Sequence, residues 1–334
     1  MRVLVTGGAG YIGSHTVLAL LKAGIDVTVF DSFEYGNREC LTVVEKLVGR
    51  KVDVVQGDIR HMSDLDAVMQ VPKGRKPYSC VVHFAAYKNI SDSIKRPLEY
   101  YENNVIGSIN LVKSMLKHNI KNIIFSSSCA VYGNPEKLPV SENSKYNPMS
   151  PYARTKLSTD LMLEDMKNVG LNSVRLRYFN AAGAHSSGLI GENPKVLLNI
   201  IPRLFGAALG KWDLKLFGNS FNTVDGSQIR DYVHVVDLAD AHVKAISYLQ
   251  NNDGSIALNL GTGLGTSNLQ LIQEVEKVTG LEVKYEVTDP VLGDPIVIYA
   301  DSQKAFEVLK WKSKYNYQQI IASAWKWYQN CEWD

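Results

Sequence analysis

Short apolar runs alternate with segments of helical periodicity through the first half of the chain. Arg2–Thr6, Asp26–Phe30 and Ser79–Phe84 are runs of mainly β-branched and other apolar residues. Between them, Tyr11–Ala23 and Pro97–His118 carry apolar residues at the spacing of an α-helix. Buried parallel strands appear in a sequence as continuous apolar runs, and crossover helices separate them. The pattern therefore predicts an α/β fold built from βαβ units, with a doubly wound parallel sheet.

The second half of the chain is less regular, with loops and short apolar runs after residue 180. Its 334 residues are enough for one to two domains, at about 150 residues each. We therefore predict a sheet domain formed by 1–179 plus about 235–262. The remaining residues, about 180–234 plus 263–334, are predicted to form a smaller, interleaved α/β domain.

Composition and charge exclude several classes of protein. The chain has 36 Lys+Arg and 34 Asp+Glu, a net charge of +2, which argues against a nucleic-acid-binding protein. Its 4 cysteines show no CxxC spacing, so we expect no metal site and a reducing, cytoplasmic location. No apolar run approaches the roughly 18 residues of a membrane span, so no membrane partner is expected.

A glycine-rich loop follows the first predicted strand and opens a helix. Gly7, Gly10 and Gly13 form a GxxGxxG pattern, in which glycines allow backbone N–H groups to approach a pyrophosphate. Asp31 ends the second predicted strand, where a carboxylate accepts hydrogen bonds from ribose hydroxyls and repels a 2′-phosphate. Tight turns alone, and a turn or cap role for Asp31, are the simpler alternatives. Together these residues predict a Rossmann-type domain that binds NAD rather than NADP.

A second group of residues suggests proton transfer. Tyr152 and Lys156 are four residues apart, so they share one face of a helix. The free pKa of tyrosine is about 10, and a nearby lysine favours the phenolate. Ser128 ends a predicted strand and could donate a hydrogen bond to a sugar or carbonyl oxygen. The alternatives are a partly buried tyrosine beside a surface lysine and a serine in a turn.

Several motifs resemble the UDP-glucose 4-epimerase family of extended short-chain dehydrogenases/reductases, over residues 1 to about 310. They are TGGAGYIGSH (6–15), GDIR (57–60), FSSSCAVYG (125–133), SPYARTK (150–156) and RDYVHVVDLADAH (230–242). The resemblance implies NAD-dependent epimerisation at C4 of a UDP-hexose, UDP-galactose to UDP-glucose, through a transient 4-keto sugar. It also implies a homodimer formed through long helices such as Pro97–His118 and Ser150–Val169.

The resemblance assigns roles to individual residues. Tyr152 is implied as the proton acceptor, Lys156 as the residue that tunes it, and Ser128 as the partner of the sugar 4-oxygen. Beside the glycine loop, Asp31, Tyr152 and Lys156, the cofactor residues are implied to be Tyr11, Ile12, Asp58, Ile59, Phe84, Ala85, Lys88, Asn103, Ser126 and Phe179. Besides Ser128 and Tyr152, the substrate residues are implied to be Asn180, Asn199, Leu216, Phe217, Arg230 and Asp294. Core packing for Phe84 and Phe179, and an ion pair of Arg230 with Asp231 or Asp237, are the structural alternatives.

Two departures from the family pattern leave the sugar undetermined. The family's arginine shortly before Asp294 is absent from Asp289–Asp294, so one diphosphate ligand is missing or comes from elsewhere. By the same resemblance, Ile298 aligns with a position that controls access beside the hexose in the family. A 4-epimerase acting on UDP-N-acetylhexosamines or UDP-pentoses, or another nucleotide-sugar enzyme of this family, therefore stays an alternative.

Three other functions compete with this interpretation of the sequence. A 4,6-dehydratase needs an acid/base pair directly after Ser128, and Cys129-Ala130 cannot supply one. An ordinary NAD-dependent oxidoreductase would release NADH, which an epimerase does not. A catalytically silent nucleotide-binding protein has no need of Ser128, Tyr152 and Lys156.

Overall fold

The computed structural model describes residues 1–71, 74–193, 199–290 and 295–331. The strands in these ranges are β1 Arg2–Thr6, β2 Asp26–Asp31, β3 Asp53–Gln56, β4 Cys80–His83, β5 Asn122–Ser128, β6 Asn172–Tyr178, β7 Asn180–Ala182, β8 Leu214–Phe217, β9 Ile229–Arg230, β10 Tyr232–His234, β11 Ser255–Leu260, β12 Thr266–Ser267, β13 Tyr285–Thr288 and β14 Val297–Ile298. The helices are α1 Tyr11–Lys22, α2 Arg38–Val48, α3 Met62–Met69, α4 Ile90–Lys95, α5 Pro97–Tyr100, α6 Gly107–Lys117, α7 Pro151–Asp165, α8 Ile200–Ala208, α9 Val235–Leu249, α10 Asn268–Thr279, α11 Gln303–Leu309 and α12 Tyr317–Tyr328.

Within the described ranges, seven strands form a parallel sheet in the order β11-β6-β5-β4-β1-β2-β3. This order reverses direction between β1 and β4, which makes the sheet doubly wound and confirms the predicted fold class. In such sheets, ligands bind at the carboxyl ends of the strands, near the point where the order reverses.

Helices cover both faces of this sheet. Successive side chains of β1 point to opposite faces, so Val3 and Val5 pack in one core and Leu4 packs in the other. The first core also contains apolar residues of α1, α2, α9 and α11. The second contains residues of α3, α6 and α7. Burial on both faces explains why these strands appear as uninterrupted apolar runs in the sequence.

The predicted long helix Pro97–His118 is present but is not uniformly α-helical. Residues Tyr101–Ile106 form a π-helical turn between α5 and α6. Asn103 and Asn104 are both buried in this turn, and Asn104 exchanges hydrogen bonds of 2.8 and 3.0 Å with the backbone of Tyr87. Single π-turns occur often at functional sites, and this one presents Asn103 to the cavity described below.

The later elements pack mainly around another core, which contains residues of α8, α10 and α12. Strand β13 pairs in parallel with β8. Ser267 caps α10, in a capping box with Gln270. In contrast, α11 packs against α9 and β11 of the large sheet. Within the described residues, every helix is too short or too polar to cross a bilayer.

A buried ion-pair network fixes α7 against the sheet. Asp160 is 0% exposed, and its carboxylate accepts hydrogen bonds from Arg175 (2.7 Å) and Arg177 (2.9 and 3.0 Å) of β6. Ser127 of β5 donates to the same carboxylate at 2.7 Å. Burial raises the pKa of Asp160, but the hydrogen bond and charge of Arg177, together with Arg175, outweigh it and lower the pKa below 3.8. The network joins one helix to two neighbouring strands.

Substitution of Asp160 by Asn should destabilise the protein by about 3–5 kcal/mol, because two buried guanidinium groups would lose their counter-charge. Urea unfolding measures this loss. Asp165→Asn, on the exposed side of the same helix, is the matched control and should change stability little. The contribution of Asp160 in the unmodified protein should be complete above pH 3.8 and decline as the pH falls further. Equal effects of the two substitutions would contradict this account.

Candidate active site

A cavity of about 1510 Å³ lies along the carboxyl ends of the sheet strands. It is lined by the glycine loop after β1 and by residues at or after the ends of β2 to β6. The structure places every predicted site residue in its described ranges on this cavity; Asp294 lies outside the described residues. These lining residues are Gly7, Gly10, Tyr11, Ile12, Gly13, Asp31, Asp58, Ile59, Phe84, Ala85, Lys88, Asn103, Ser126, Ser128, Tyr152, Lys156, Phe179, Asn180, Asn199, Leu216, Phe217 and Arg230.

The glycine loop has no room for side chains. Gly7 has φ +69, a left-handed conformation, and a Cβ there would lie 2.6 Å from the nitrogen of Ala85. A Cβ on Gly13 would lie 2.2 Å from the carbonyl oxygen of Gly7. Gly10 is the N-cap of α1, so the first N–H groups of the helix have no acceptor within it, and the residues of this first turn line the cavity. This arrangement fits the pyrophosphate of a dinucleotide.

Asp31 fits both roles that the sequence suggests, a residue that stabilises a turn and an acceptor for ribose hydroxyls. Its Oδ2 accepts a hydrogen bond from the nitrogen of Ala9 and its Oδ1 accepts one from Phe33, each at 2.9 Å, so it braces the glycine loop. Burial raises its pKa, and the two backbone hydrogen bonds act in the opposite direction. Each carboxylate oxygen can accept a further bond. The carboxylate therefore fits the ribose hydroxyls of a dinucleotide beside the loop.

Tyr152 and Lys156 lie on the first two turns of α7. Pro151 occupies the first helical position and Ser150 caps the helix by accepting from the nitrogen of Ala153. The Lys156 ammonium donates a 2.7 Å hydrogen bond to the carbonyl of Ser126, at the end of β5. The side chain of Ser128, at the end of the same strand, lies near that of Tyr152.

Burial moves the pKa values of the two residues in opposite directions. Burial raises the pKa of Tyr152 to about 12, although the nearby side chain of Ser128 acts in the opposite direction. It lowers the pKa of Lys156 to about 7. The sequence predicts that Lys156 shifts Tyr152 toward the phenolate, but in the structure Lys156 donates to Ser126 and the burial of Tyr152 dominates. The protein's own groups therefore keep Tyr152 protonated at neutral pH, and an additional positive charge beside the phenol would lower its pKa.

Arg230 ends β9 and lines the same cavity as the glycine loop. The guanidinium donates to the carbonyls of Ile229 (3.0 Å) and Ile296 (3.3 Å), and the residue is 9% exposed. The ion-pair alternatives are not observed. Asp231 accepts from Thr262, Gly263 and Ala300, and Asp237 accepts from the backbone of Lys314 and Tyr315.

Phe84 and Phe179, for which core packing is the alternative to cofactor binding, both pack in a core and line the cavity. Phe179 is 4% exposed and belongs to a small core with Ile298, so packing and cavity lining coincide there. Phe84 packs against the large core with its ring 4.7 Å from that of His242.

Two polar residues that organise this region, Asp160 and Glu192, were not predicted from the sequence. Asp160 is four residues beyond Lys156, so the spacing Tyr-x-x-x-Lys-x-x-x-Asp already placed it on the same face of the helix. Glu192 lines the cavity with 7% exposure, and it approaches Lys88 and Asn199. No sequence spacing relates Glu192 to Lys88, because the fold alone brings these distant segments together.

The parallel sheet, the glycine loop and the Ser-Tyr-Lys set define a dinucleotide-dependent enzyme of the short-chain dehydrogenase/reductase type. The chain belongs to the NAD dependent epimerase/dehydratase family, whose model matches residues 3–261. The predicted family resemblance and the predicted cofactor NAD are thereby confirmed.

Individual relatives match over nearly the whole chain. A UDP-glucose 4-epimerase of Lactobacillus helveticus is 43% identical, covering 99% of this chain and 98% of the relative. The solved UDP-glucose-4-epimerase of Stenotrophomonas maltophila, with bound NAD and formylated UDP-arabinopyranose, has a TM-score of 0.94 at 39% identity, covering 99% and 98% of the two chains. The enzyme of Bifidobacterium longum, in complex with NAD+ and UDP, has a TM-score of 0.93 at 38% identity with the same coverage.

Substitution of Asp31 by Asn should weaken the preference for NAD over NADP. Two unit charges about 4 Å apart interact by about 4 kcal/mol at a partly buried site, so removing this charge should shift the NAD/NADP affinity ratio by at least about tenfold. Calorimetric titration of each dinucleotide into protein stripped of cofactor measures the ratio. Asp26→Asn, at the exposed opposite end of β2, is the control and should leave it unchanged. An unchanged ratio in Asp31→Asn would contradict the assignment.

Proposed function

We propose that the protein interconverts UDP-galactose and UDP-glucose by NAD-dependent epimerisation at C4 of the hexose. The observation that carries this proposal is the position of Ser128, Tyr152 and Lys156 in the same cavity as the glycine loop and Arg230. A proton-exchanging group, a dinucleotide loop and an anion-binding guanidinium are the components that this reaction requires. The full-length similarity to UDP-glucose 4-epimerases supports the choice of reaction.

Each residue of the set has a distinct task. NAD, held by the cofactor residues named below, would supply hydride transfer from and back to C4 of the sugar. Tyr152 takes the proton of the sugar 4-hydroxyl and later returns it, with a 4-keto sugar as the intermediate. Ser128 donates a hydrogen bond to the sugar 4-oxygen. Lys156, fixed by the carbonyl of Ser126, contributes positive charge that favours the tyrosinate.

The nucleotide end of the substrate is held by residues of the later elements. Arg230 binds the diphosphate, for which a guanidinium is well suited. Phe217 covers one face of the uracil, next to Leu216. Asn180 and Asn199 contribute polar contacts, and Asp294 accepts from the uridine ribose. Anchoring through UDP leaves the hexose free to turn, so that either face of C4 can receive the hydride.

The proposed cofactor residues line the other part of the cavity. Asp31 accepts from the adenosine ribose, and the N–H groups of the glycine loop bind the pyrophosphate. The remaining members of the set are Tyr11, Ile12, Asp58, Ile59, Phe84, Ala85, Lys88, Asn103, Ser126 and Phe179. The two-domain division, 1–179 plus about 235–262 for NAD and 180–234 plus 263–334 for substrate, is part of the same proposal. The parallel pairing of β11 with β6 in the large sheet supports its first part.

We also propose a homodimer. Helices α4, α5 and α7 expose large apolar side chains, among them Ile94 (65% exposed), Leu98 (76%) and Leu161 (41%). The three helices contact one another, and large exposed apolar patches are typical of an interface between subunits. The reducing, cytoplasmic location stays a prediction from the cysteine pattern.

The proposal predicts conversion of UDP-galactose to UDP-glucose by the purified protein without added NAD and without accumulation of NADH. Tyr152→Phe keeps the aromatic ring but cannot take a proton, so turnover should fall by about 10²–10⁴-fold. Chromatography of the two UDP-sugars measures turnover, and absorbance follows NADH. Tyr248→Phe, a tyrosine of α9 outside the cavity, should retain full activity. Less than about a tenfold loss in Tyr152→Phe would show that Tyr152 is not the base.

A further inference from the structure

Glu192 is a buried carboxylate in the cavity wall for which the reaction described above has no use. The residue is 7% exposed and lines the cavity. Burial raises its pKa, while Lys88 and Asn199 act in the opposite direction. A carboxylate in such a place is costly unless charged or polar partners compensate it, so its partners indicate its purpose.

The partners of the Glu192 carboxylate come from two different parts of the chain. Oε1 of Glu192 accepts a 2.5 Å hydrogen bond from the side-chain amide of Asn199, the N-cap residue of α8. The same oxygen lies 3.6 Å from the Nζ of Lys88, which follows β4 of the large sheet. One atom thus joins a proposed cofactor residue to a proposed substrate residue.

The backbone of Glu192 is held in place independently of its side chain. Its carbonyl accepts a 2.7 Å hydrogen bond from the indole of Trp327 on α12. The preceding Gly191 packs so closely on this indole that a Cβ would lie 2.3 Å from it. The carboxylate is therefore presented from a fixed position rather than from a freely moving loop.

The glycine loop is tied to the same region. The hydroxyl of Tyr11, in the first turn of α1, donates a 2.5 Å hydrogen bond to the carbonyl of Gly183. Burial raises the pKa of Tyr11, and the charge of Glu192 acts in the same direction. The side chain of Glu192 itself contacts Asn199 and approaches Lys88.

We propose that Glu192 is a positioning residue that couples the NAD site to the UDP-sugar site by holding Lys88 and Asn199 to a single carboxylate oxygen. The inference rests on the proposed function and deepens it, because it assigns the connection between the two ligands. When UDP binds Asn199, it restrains the side chain of Glu192, and hence Lys88 on the cofactor side. Such coupling is reciprocal: each ligand strengthens the binding of the other by the same factor.

The test compares the NAD-loaded protein with Glu192→Gln, Glu192→Asp and the control Glu276→Gln. Glu276 lies outside the cavity and accepts a hydrogen bond from the nitrogen of Val283, so it controls for the loss of a carboxylate acceptor. The rate of NAD release is measured with and without saturating UDP. The affinity for UDP is measured by calorimetry, and thermal unfolding checks the fold.

In the unmodified protein and in Glu276→Gln, UDP should slow NAD release by at least about fivefold, the lower end of usual coupling between sites. In Glu192→Gln this ratio should fall to about one, and KM for UDP-galactose should rise more than kcat falls. Glu192→Asp keeps the charge and should retain part of the coupling. Combination with Lys88→Met should be non-additive, because the two side chains act together.

Equal effects of UDP on NAD release in the unmodified protein and in Glu192→Gln would overturn the inference. So would the absence of any UDP effect in the unmodified protein, or additivity of Glu192→Gln and Lys88→Met. If Glu192→Gln does not fold, the Glu192→Asp and Lys88→Met variants decide the question through the same ratio. NAD release and UDP binding are read without turnover, so a failure of the proposed reaction would be recognised separately, by the lack of UDP-glucose.

Discussion

The attachment of helix α7 to the sheet is the constraint on which the geometry of the site depends. Tyr152, Lys156 and Asp160 follow one another at intervals of four residues, so one face of the helix carries the proposed proton acceptor, its cation and its anchor. At the end of β5, Ser126 accepts from Lys156 and Ser127 donates to Asp160. Because Asp160 is also held by two arginines of β6, the register between the strand end and the helix is fixed.

The same burial that creates this rigid site also sets its proton chemistry. Tyr152 and Lys156 both lose solvent, which disfavours the charged form of each and moves their pKa values to about 12 and about 7. Resting Tyr152 is consequently a phenol. The proposed role of Tyr152 as a base therefore requires positive charge close by, which a charged cofactor would provide.

Most of the fold could be predicted from the sequence, because burial on both faces of a parallel sheet produces continuous apolar runs. The glycine loop, Asp31 and the Tyr-x-x-x-Lys pair were equally accessible, since their spacing reflects a turn and a helical face. The π-helical turn at Asn103 could not be predicted, because no periodicity separates it from the α-helix on either side. The upward shift of the pKa of Tyr152 depends on burial, which only the packed structure reveals. Glu192 could not be predicted for a similar reason, because its partners Lys88 and Asn199 come from other segments. The predicted site residue Asp294 lies outside the described residues.

The central claim is that a single bound carrier removes hydrogen from C4 and returns it to the same carbon. The most direct measurement uses UDP-galactose carrying deuterium at C4, incubated with the purified protein in ordinary water without added NAD. Mass spectrometry and NMR of the UDP-glucose formed then locate the label. The account predicts that the deuterium remains at C4 of the product, because the hydride never exchanges with solvent. Hydrogen from water at C4, or release of the label as free NADD, would contradict it.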